Sequence, residues 1–93
     1  MREIEKALEK KINAEVKNLG GWSIKILSTL ISGLPDRLAL LPGGRVYFIE
    51  LKSEGKKPSP IQKIIHNKLA ALGFAVHVID TTEKINNFIE SIK

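Results

Sequence analysis

Cysteine is absent from the 93-residue sequence, and aromatic residues make up only 5% of it. Without cysteine the chain forms no disulfide, no thiolate metal site and no thiol nucleophile, which is typical of proteins in a reducing compartment. The scarcity of aromatic side chains argues against recognition of single strands by base stacking. We therefore expect a cytoplasmic protein whose chemistry depends on oxygen and nitrogen groups.

Long apolar runs are missing as well. No uninterrupted stretch approaches the ~18 residues of a membrane span, and the charged N-terminus does not resemble a secretory signal, so we expect neither a membrane protein nor an exported one. An apolar fraction of 43% and a charged fraction of 27% are typical of one globular domain over residues 1–93. The net charge of +5 favours a polyanionic partner such as nucleic acid.

Periodicity, capping residues and the Gly and Pro positions predict the order α-β-β-β-α-β-α. The predicted elements are a helix over 3–19, strands over 22–30, 36–41 and 45–51, a helix from Ser59 to Gly73, a strand over 74–79 and a helix after Asp80. This order predicts an α/β fold with a four-stranded mixed sheet, whose first three strands form an antiparallel meander. The apolar stripe of the second helix is predicted to be buried: Ile61, Ile64, Ile65, Leu69 and Leu72.

The loop Pro42-Gly43-Gly44 sets the register of the predicted hairpin. With this loop Leu41 faces Arg45, and continuing outward Asp36 faces Glu50 on the same face of the sheet. Like charges that face each other are destabilising, so another group must offset the repulsion. A loop shorter by one residue would turn the two acids to opposite faces.

Because strand side chains alternate between the two faces of a sheet, Lys52 lies on the same face as Glu50, and Leu51 points to the opposite face. Two carboxylates suit Mg²⁺, which takes oxygen ligands. A lysine beside them would lie where water attacks a phosphate bound to the metal. Such a site would hydrolyse phosphodiester bonds. The alternative is an exposed hairpin end, in which Asp36 caps a turn and Glu50 pairs with Lys52. On the same face, Leu38, Leu40, Val46 and Phe48 predict that a helix covers them.

Pro35-Asp36 followed by Glu50-Leu51-Lys52 resembles the PD-(D/E)xK nuclease superfamily. The segments GLPDRLALLPGG, VYFIELKSEGKKPSPIQ and LGFAVHVID extend this resemblance to its VRR-NUC branch over nearly the whole chain. The resemblance implies a restriction-endonuclease-like core in which Asp36 and Glu50 bind Mg²⁺ or Mn²⁺, Leu51 offers its backbone carbonyl and Lys52 is catalytic.

The same resemblance implies a metal-dependent DNA endonuclease that selects branched DNA such as Holliday junctions. It also implies a homodimer working in the cytoplasm of a bacterial or phage-infected cell. A non-catalytic nucleic-acid-binding module that retains the nuclease fold is the alternative. Every core position of the motif holds a competent residue, which favours the enzyme.

Family members usually complete the site with a glutamate of the first helix and a glutamine after the ExK strand. Glu5 and Glu15 both lie on or beside the apolar stripe of the first helix; the resemblance favours Glu5, directly or through water, and leaves Glu15 for an ion pair. Gln62 is predicted to contact the site, although it is also the third residue of a capping box begun by Ser59.

Basic residues near the motif could grip DNA phosphates at the rim of the site. They are Arg37, Lys56, Lys57 and Lys63. A solvated charged loop is the alternative interpretation. His66 and His77 lack a paired metal-ligand spacing, so the sequence assigns no role to either of them.

Overall fold

The computed structural model describes residues 3–93, with side chains from Glu5 onward, so Met1, Arg2 and the Ile4 side chain lie outside the described residues. The elements are α1 (Glu3–Asn18), β1 (Trp22–Lys25), β2 (Arg37–Leu41), β3 (Arg45–Leu51), α2 (Pro60–Ala71), β4 (Val76–Ile79) and α3 (Thr82–Ile92). The strands lie side by side in the order β1-β2-β3-β4; the first three are antiparallel and β4 runs parallel to β3. The predicted α/β fold with a mixed sheet is confirmed. In the described part of the chain, no helix is long and apolar enough to cross a membrane.

The β2–β3 hairpin has the predicted register. Leu41 pairs with Arg45 across the loop, and Arg37 pairs with Ile49 at the far end. Gly43 and Gly44 both adopt positive φ, at 84° and 75°, which only glycine adopts without strain. One step beyond the last pair, Asp36 faces Glu50, so the loop length brings the two acids to the same face.

One face of the sheet is closed by α1 and α3. Both helices turn an apolar stripe towards it, and α3 begins at the N-cap Thr81, whose side chain accepts a hydrogen bond from the Lys84 N–H. The buried core of this face contains Leu8, Ile12, Val16, Ala39, Leu41, Ile49, Leu51, Ile79, Ile85, Phe88, Ile89 and Ile92. We call this side the closed face.

The opposite side, which we call the open face, is only partly covered. It carries Leu38, Leu40, Val46 and Phe48, all of them half-buried, so the expected helical cover is incomplete. Helix α2 has no buried residue, and Ile61, Ile64 and Leu72 are 49%, 65% and 69% exposed. The prediction that this whole stripe is buried is therefore wrong, because α2 packs beside β4 and residues 31–34 rather than across the middle of the sheet.

Strand β1 is shorter than predicted. It ends at Lys25, and the apolar residues 26–34 form a loop that crosses to α2. Within this loop Gly33 has a φ of +87° and lies so close to α2 that a Cβ would come within 2.9 Å of the Ile61 carbonyl oxygen. Leu27 and Leu30 remain 85% and 95% exposed in this loop. The apolar residues that suggested a longer strand therefore lie in an exposed loop outside the sheet.

Candidate active site

The motif residues converge where β2 begins and β3 ends. The Leu51 N–H donates a hydrogen bond of 2.7 Å to Asp36 Oδ2, which fixes this carboxylate against the neighbouring strand. Glu50 is only 2% exposed, and Lys52 Nζ lies 3.8 Å from its Oε2. Asp36, Glu50 and Lys52 therefore share one small site on the open face, as the hairpin register predicts.

Glu50 is a strongly perturbed acid. Burial, and then the charge of Asp36 and a hydrogen bond with it, raise the pKa of Glu50 from 4.5 to about 8, against the opposing effect of Lys52. A carboxyl group with a raised pKa holds a proton at neutral pH unless another cation takes the place of that proton. Perturbed acids of this kind cluster at functional sites.

Gln62 performs both of the roles that the sequence left open. Its Oε1 accepts the Ser59 N–H at 2.9 Å, and the Ser59 hydroxyl accepts the Gln62 N–H at 3.3 Å, which completes the capping box of α2. Its Nε2 donates to Glu50 Oε2 at 3.5 Å. The cap thus directs the remaining end of the amide at the site.

Glu5 lies on α1 at the edge of this region. Its Oε1 accepts a hydrogen bond of 3.0 Å from the hydroxyl of Ser53, which is buried immediately after Lys52. Glu5 thus reaches the ExK segment through Ser53. Glu15 instead lies 3.7 Å from Lys11 in an ion pair along α1, in line with the salt-bridge role expected of it.

His66, to which the sequence analysis assigned no role, lies in the site. Its Nε2 is 3.6 Å from Glu50 Oε1, and its side chain is only 12% exposed. Burial and the nearby Lys52 lower the pKa of His66, while Asp36 opposes the shift. The signal that could have found it is its spacing: His66 follows Gln62 by one helical turn, so both side chains leave the same side of α2.

The predicted basic rim divides into two groups. Lys56 and Lys57 in the loop after β3 and Lys63 in the first turn of α2 are exposed, and their binding of phosphates stays a prediction. The prediction that Arg37 binds DNA is wrong, because this residue is only 5% exposed. Its guanidinium donates to Ser23 and Asn13 and forms an ion pair with Glu9. As the neighbour of Asp36 in β2, Arg37 points to the other face, where DNA at the site cannot reach it.

The donor set fits a hard divalent cation. Asp36 and Glu50 supply two carboxylates, and the Leu51 N–H points to Asp36. Because a strand residue directs its N–H and its carbonyl to the same neighbouring strand, we expect the Leu51 carbonyl on the side of Asp36 as well. Glu50 Oε1 is buried and has no hydrogen-bond partner, so it retains an acceptor for a cation. Over residues 3–93 no three His, Cys, Asp or Glu side chains form a cage by themselves. Mg²⁺ needs no such cage, because it keeps waters and binds through one or two carboxylates.

Known proteins resemble this chain in both sequence and structure. It is 42% identical over 79 residues to "Putative nuclease p44" of Acyrthosiphon pisum secondary endosymbiont phage 1, which covers 85% of each chain. A solved structure described as "VRR_NUC domain" superposes with a TM-score of 0.92 at 30% identity, covering 99% of this chain and 100% of the other. No family model matches the sequence.

The fold and the motif define a nuclease of the PD-(D/E)xK type. With these two relatives, the chain belongs to the VRR-NUC family, as its sequence motifs predict.

Proposed function

We propose that this protein is a Mg²⁺- or Mn²⁺-dependent endodeoxyribonuclease acting in the cytoplasm of a bacterial or phage-infected cell. The observation that carries the proposal is the facing of Asp36 and Glu50, with Lys52 within 3.8 Å of Glu50 on the same side of the sheet. The raised pKa of Glu50, which reflects burial and the charge of Asp36, supports a cation between these two acids. The similarity to a putative phage nuclease and to a VRR_NUC domain supports nuclease activity.

Each residue of the site has a distinct task. Asp36, Glu50 and the Leu51 carbonyl would hold the cation, and Glu5 would contribute through water from the Ser53 side. When bound, the cation would neutralise charge on the phosphate oxygens and lower the pKa of a water molecule.

Lys52, 19% exposed, presents an ammonium to the open site. There it would orient the attacking water and stabilise the charge that develops on the phosphate. Gln62 restrains the Glu50 carboxylate through its Nε2, while its Oε1 holds the start of α2.

DNA would approach the open face from the side of the loop after β3. Lys56, Lys57 and Lys63 are exposed there, and the described residues offer none of the three an acidic partner within salt-bridge distance. Their contacts would go to backbone phosphates, which position a duplex without reading its sequence. Selection of branched DNA would then come from the placement of two sites in an assembly.

A homodimer would supply the second site. The molecule exposes large apolar residues that a polyanionic duplex has no means to bury: Trp22, Leu27, Leu30, Ile31, Ile61, Ile64, Leu72 and Phe74. Exposed apolar patches of this extent mark protein interfaces. A C₂ pair would cover identical patches and direct two sites at opposite strands of a branched DNA such as a Holliday junction.

Cleavage of end-labelled linear and four-way DNA tests the activity. Wild-type protein should cut with Mg²⁺ or Mn²⁺ and not with EDTA, and should prefer the four-way substrate. Asp36→Ala and Lys52→Ala should lose cleavage, whereas Lys17→Ala, which changes an exposed lysine on α1, should retain it. Equal activity in all four proteins would refute the assignment. DNA binding without cleavage in any metal would instead favour the non-catalytic module.

Analytical ultracentrifugation tests the dimer. Ile64→Glu places a charge on an exposed position of α2, so it should convert a wild-type dimer to a monomer without unfolding the chain. A wild-type protein that remains monomeric at all concentrations and on four-way DNA would contradict the dimer, while leaving the nuclease chemistry intact.

A further inference from the structure

Two buried polar atoms face each other across the site without a hydrogen bond. Glu50 Oε1 and His66 Nε2 are both shielded from solvent and lack a partner, and they lie 3.6 Å apart. A buried polar group left unpaired is destabilising, and folded proteins rarely contain one. A closure of a few tenths of an ångström would pair these two atoms with each other.

The geometry of α2 supports this pairing. Gln62 and His66 are one turn apart, and each approaches a different oxygen of Glu50: Gln62 Nε2 lies 3.5 Å from Oε2 and His66 Nε2 lies 3.6 Å from Oε1. The capping box at Ser59 fixes where the helix begins, and so fixes the direction of both side chains. The helix therefore holds the carboxylate at both of its ends.

We propose that His66 is a positioning residue, whose Nε2–H donates to Glu50 Oε1 and fixes that carboxylate for the cation. The inference rests on the proposed function, because it concerns the same metal site. Among the described residues His66 Nε2 has no other hydrogen-bond partner, and Glu50 Oε1 is the acceptor that it faces. Hydrogen bonds to a ligating carboxylate set its orientation, and losing one commonly weakens metal binding by about 10–100-fold.

The competing arrangement would place His66 Nε2 on the cation itself. Imidazole nitrogen is a ligand for transition metals and a poor one for Mg²⁺, so direct ligation would weaken Mn²⁺ far more than Mg²⁺ when the imidazole is removed. A positioning role instead predicts equal losses for both ions, because it acts through Glu50. The ratio of the two affinities thus separates the two roles.

Calorimetric titration of Mg²⁺ and Mn²⁺ provides the test. His66→Leu should weaken both ions by about tenfold, and His66→Gln, which keeps an N–H at a similar distance, should remain within about threefold of wild type. His77→Leu is the matched control, because His77 Nε2 is also buried and unpaired but packs with Tyr47 and Phe88 towards the closed face. It should bind both ions as wild type does.

Unchanged metal binding in His66→Leu would overturn the inference, and so would a loss confined to Mn²⁺. A wild-type protein that binds neither ion would refute the proposed function instead. The pairing can then be tested in the diamagnetic Mg²⁺ complex, where the cation takes the place of the proton on Glu50. ¹⁵N NMR should show His66 protonated on Nε2, and protonation on Nδ1 alone would overturn the inference. Pulsed EPR of the Mn²⁺ complex should show no imidazole nitrogen coupling, and a coupling that His66→Leu removes would also overturn it.

Discussion

Leu40 and Leu41 are neighbours in β2, yet Leu41 is 5% exposed in the core formed with α1 and α3, whereas Leu40 is half-buried on the open face. Arg37 and Asp36 differ in the same way, since Arg37 is enclosed by partners from α1 and β1 and Asp36 stays at the site. The closed face pairs the guanidinium of Arg37 and packs its apolar side chains. The open face leaves both incomplete, and it is the face to which we propose that metal, DNA and a second subunit bind.

Insertion of one glycine into the loop at residues 42–44 would break this comparison most severely. Because a shift of one residue exchanges the two faces, Asp36 would turn away from Glu50. We expect cleavage of four-way DNA to fall by at least about a thousandfold, since the carboxylates would no longer act together. Thermal unfolding should show that the domain still folds. Full activity in the insertion variant would contradict the hairpin register.

Replacing the two neighbouring leucines compares the faces directly. Leu41→Ala leaves a cavity in a closed core and should lower the free energy of unfolding by about 3 kcal/mol. Leu40→Ala removes the same atoms from a half-buried position and should cost about 1 kcal/mol. Urea denaturation of both variants at low protein concentration measures the difference. Equal losses would mean that the open face is packed as tightly as the closed one.

Replacing a buried and an exposed basic residue by alanine distinguishes a role in stability from a role in DNA binding. Arg37→Ala removes the partner of Glu9 and should lower the free energy of unfolding by about 2 kcal/mol, with the DNA affinity of the folded protein unchanged. Lys57→Ala should leave stability unchanged and reduce the slope of DNA affinity against salt by about one. Denaturation and fluorescence anisotropy measure the two effects. A lower DNA affinity for folded Arg37→Ala would restore Arg37 to the DNA-binding surface.

The pH dependence of stability tests the electrostatics of the open face. The pKa of Glu50 is raised from 4.5 to about 8 on folding, so between these values the folded state holds a proton that the unfolded chain has lost. The metal-free protein should therefore be most stable below the unfolded pKa and lose at most about 1.4 kcal/mol per pH unit as the pH rises towards 8. Glu50→Gln should remove this slope in denaturation measured with EDTA. If the free energy of unfolding falls with pH equally in both proteins, a group other than Glu50 causes the dependence.

Turn length and the alternation of strand side chains were sufficient to predict the hairpin that forms the site. The loop Pro42-Gly43-Gly44 and the alternation of strand side chains predicted that Asp36 faces Glu50. The same alternation, applied to Arg37, would have excluded it from the DNA-binding surface. These inferences succeed because a hairpin is a local structure whose register depends on its turn.

Tertiary packing decided the features that sequence alone could not predict. Residues 26–30 have a strand-like composition, but they leave the sheet to reach α2. The stripe of α2 predicts burial, whereas the helix packs at the edge of the sheet and turns Gln62 and His66 towards Glu50. The apolar stripe of the helix does not specify this rotation, so His66 could be placed at the site only through its spacing of one turn from Gln62.

The central claim is that Asp36 and Glu50 form one metal site. Calorimetric titration of Mn²⁺ into wild-type protein and the near-isosteric Asp36→Asn variant tests it most directly. We predict that the wild-type protein binds Mn²⁺ and that Asp36→Asn binds it at least about tenfold more weakly, because the variant loses one of two charged ligands. Absence of binding in the wild-type protein, with and without DNA, or equal binding in both proteins, would contradict the claim.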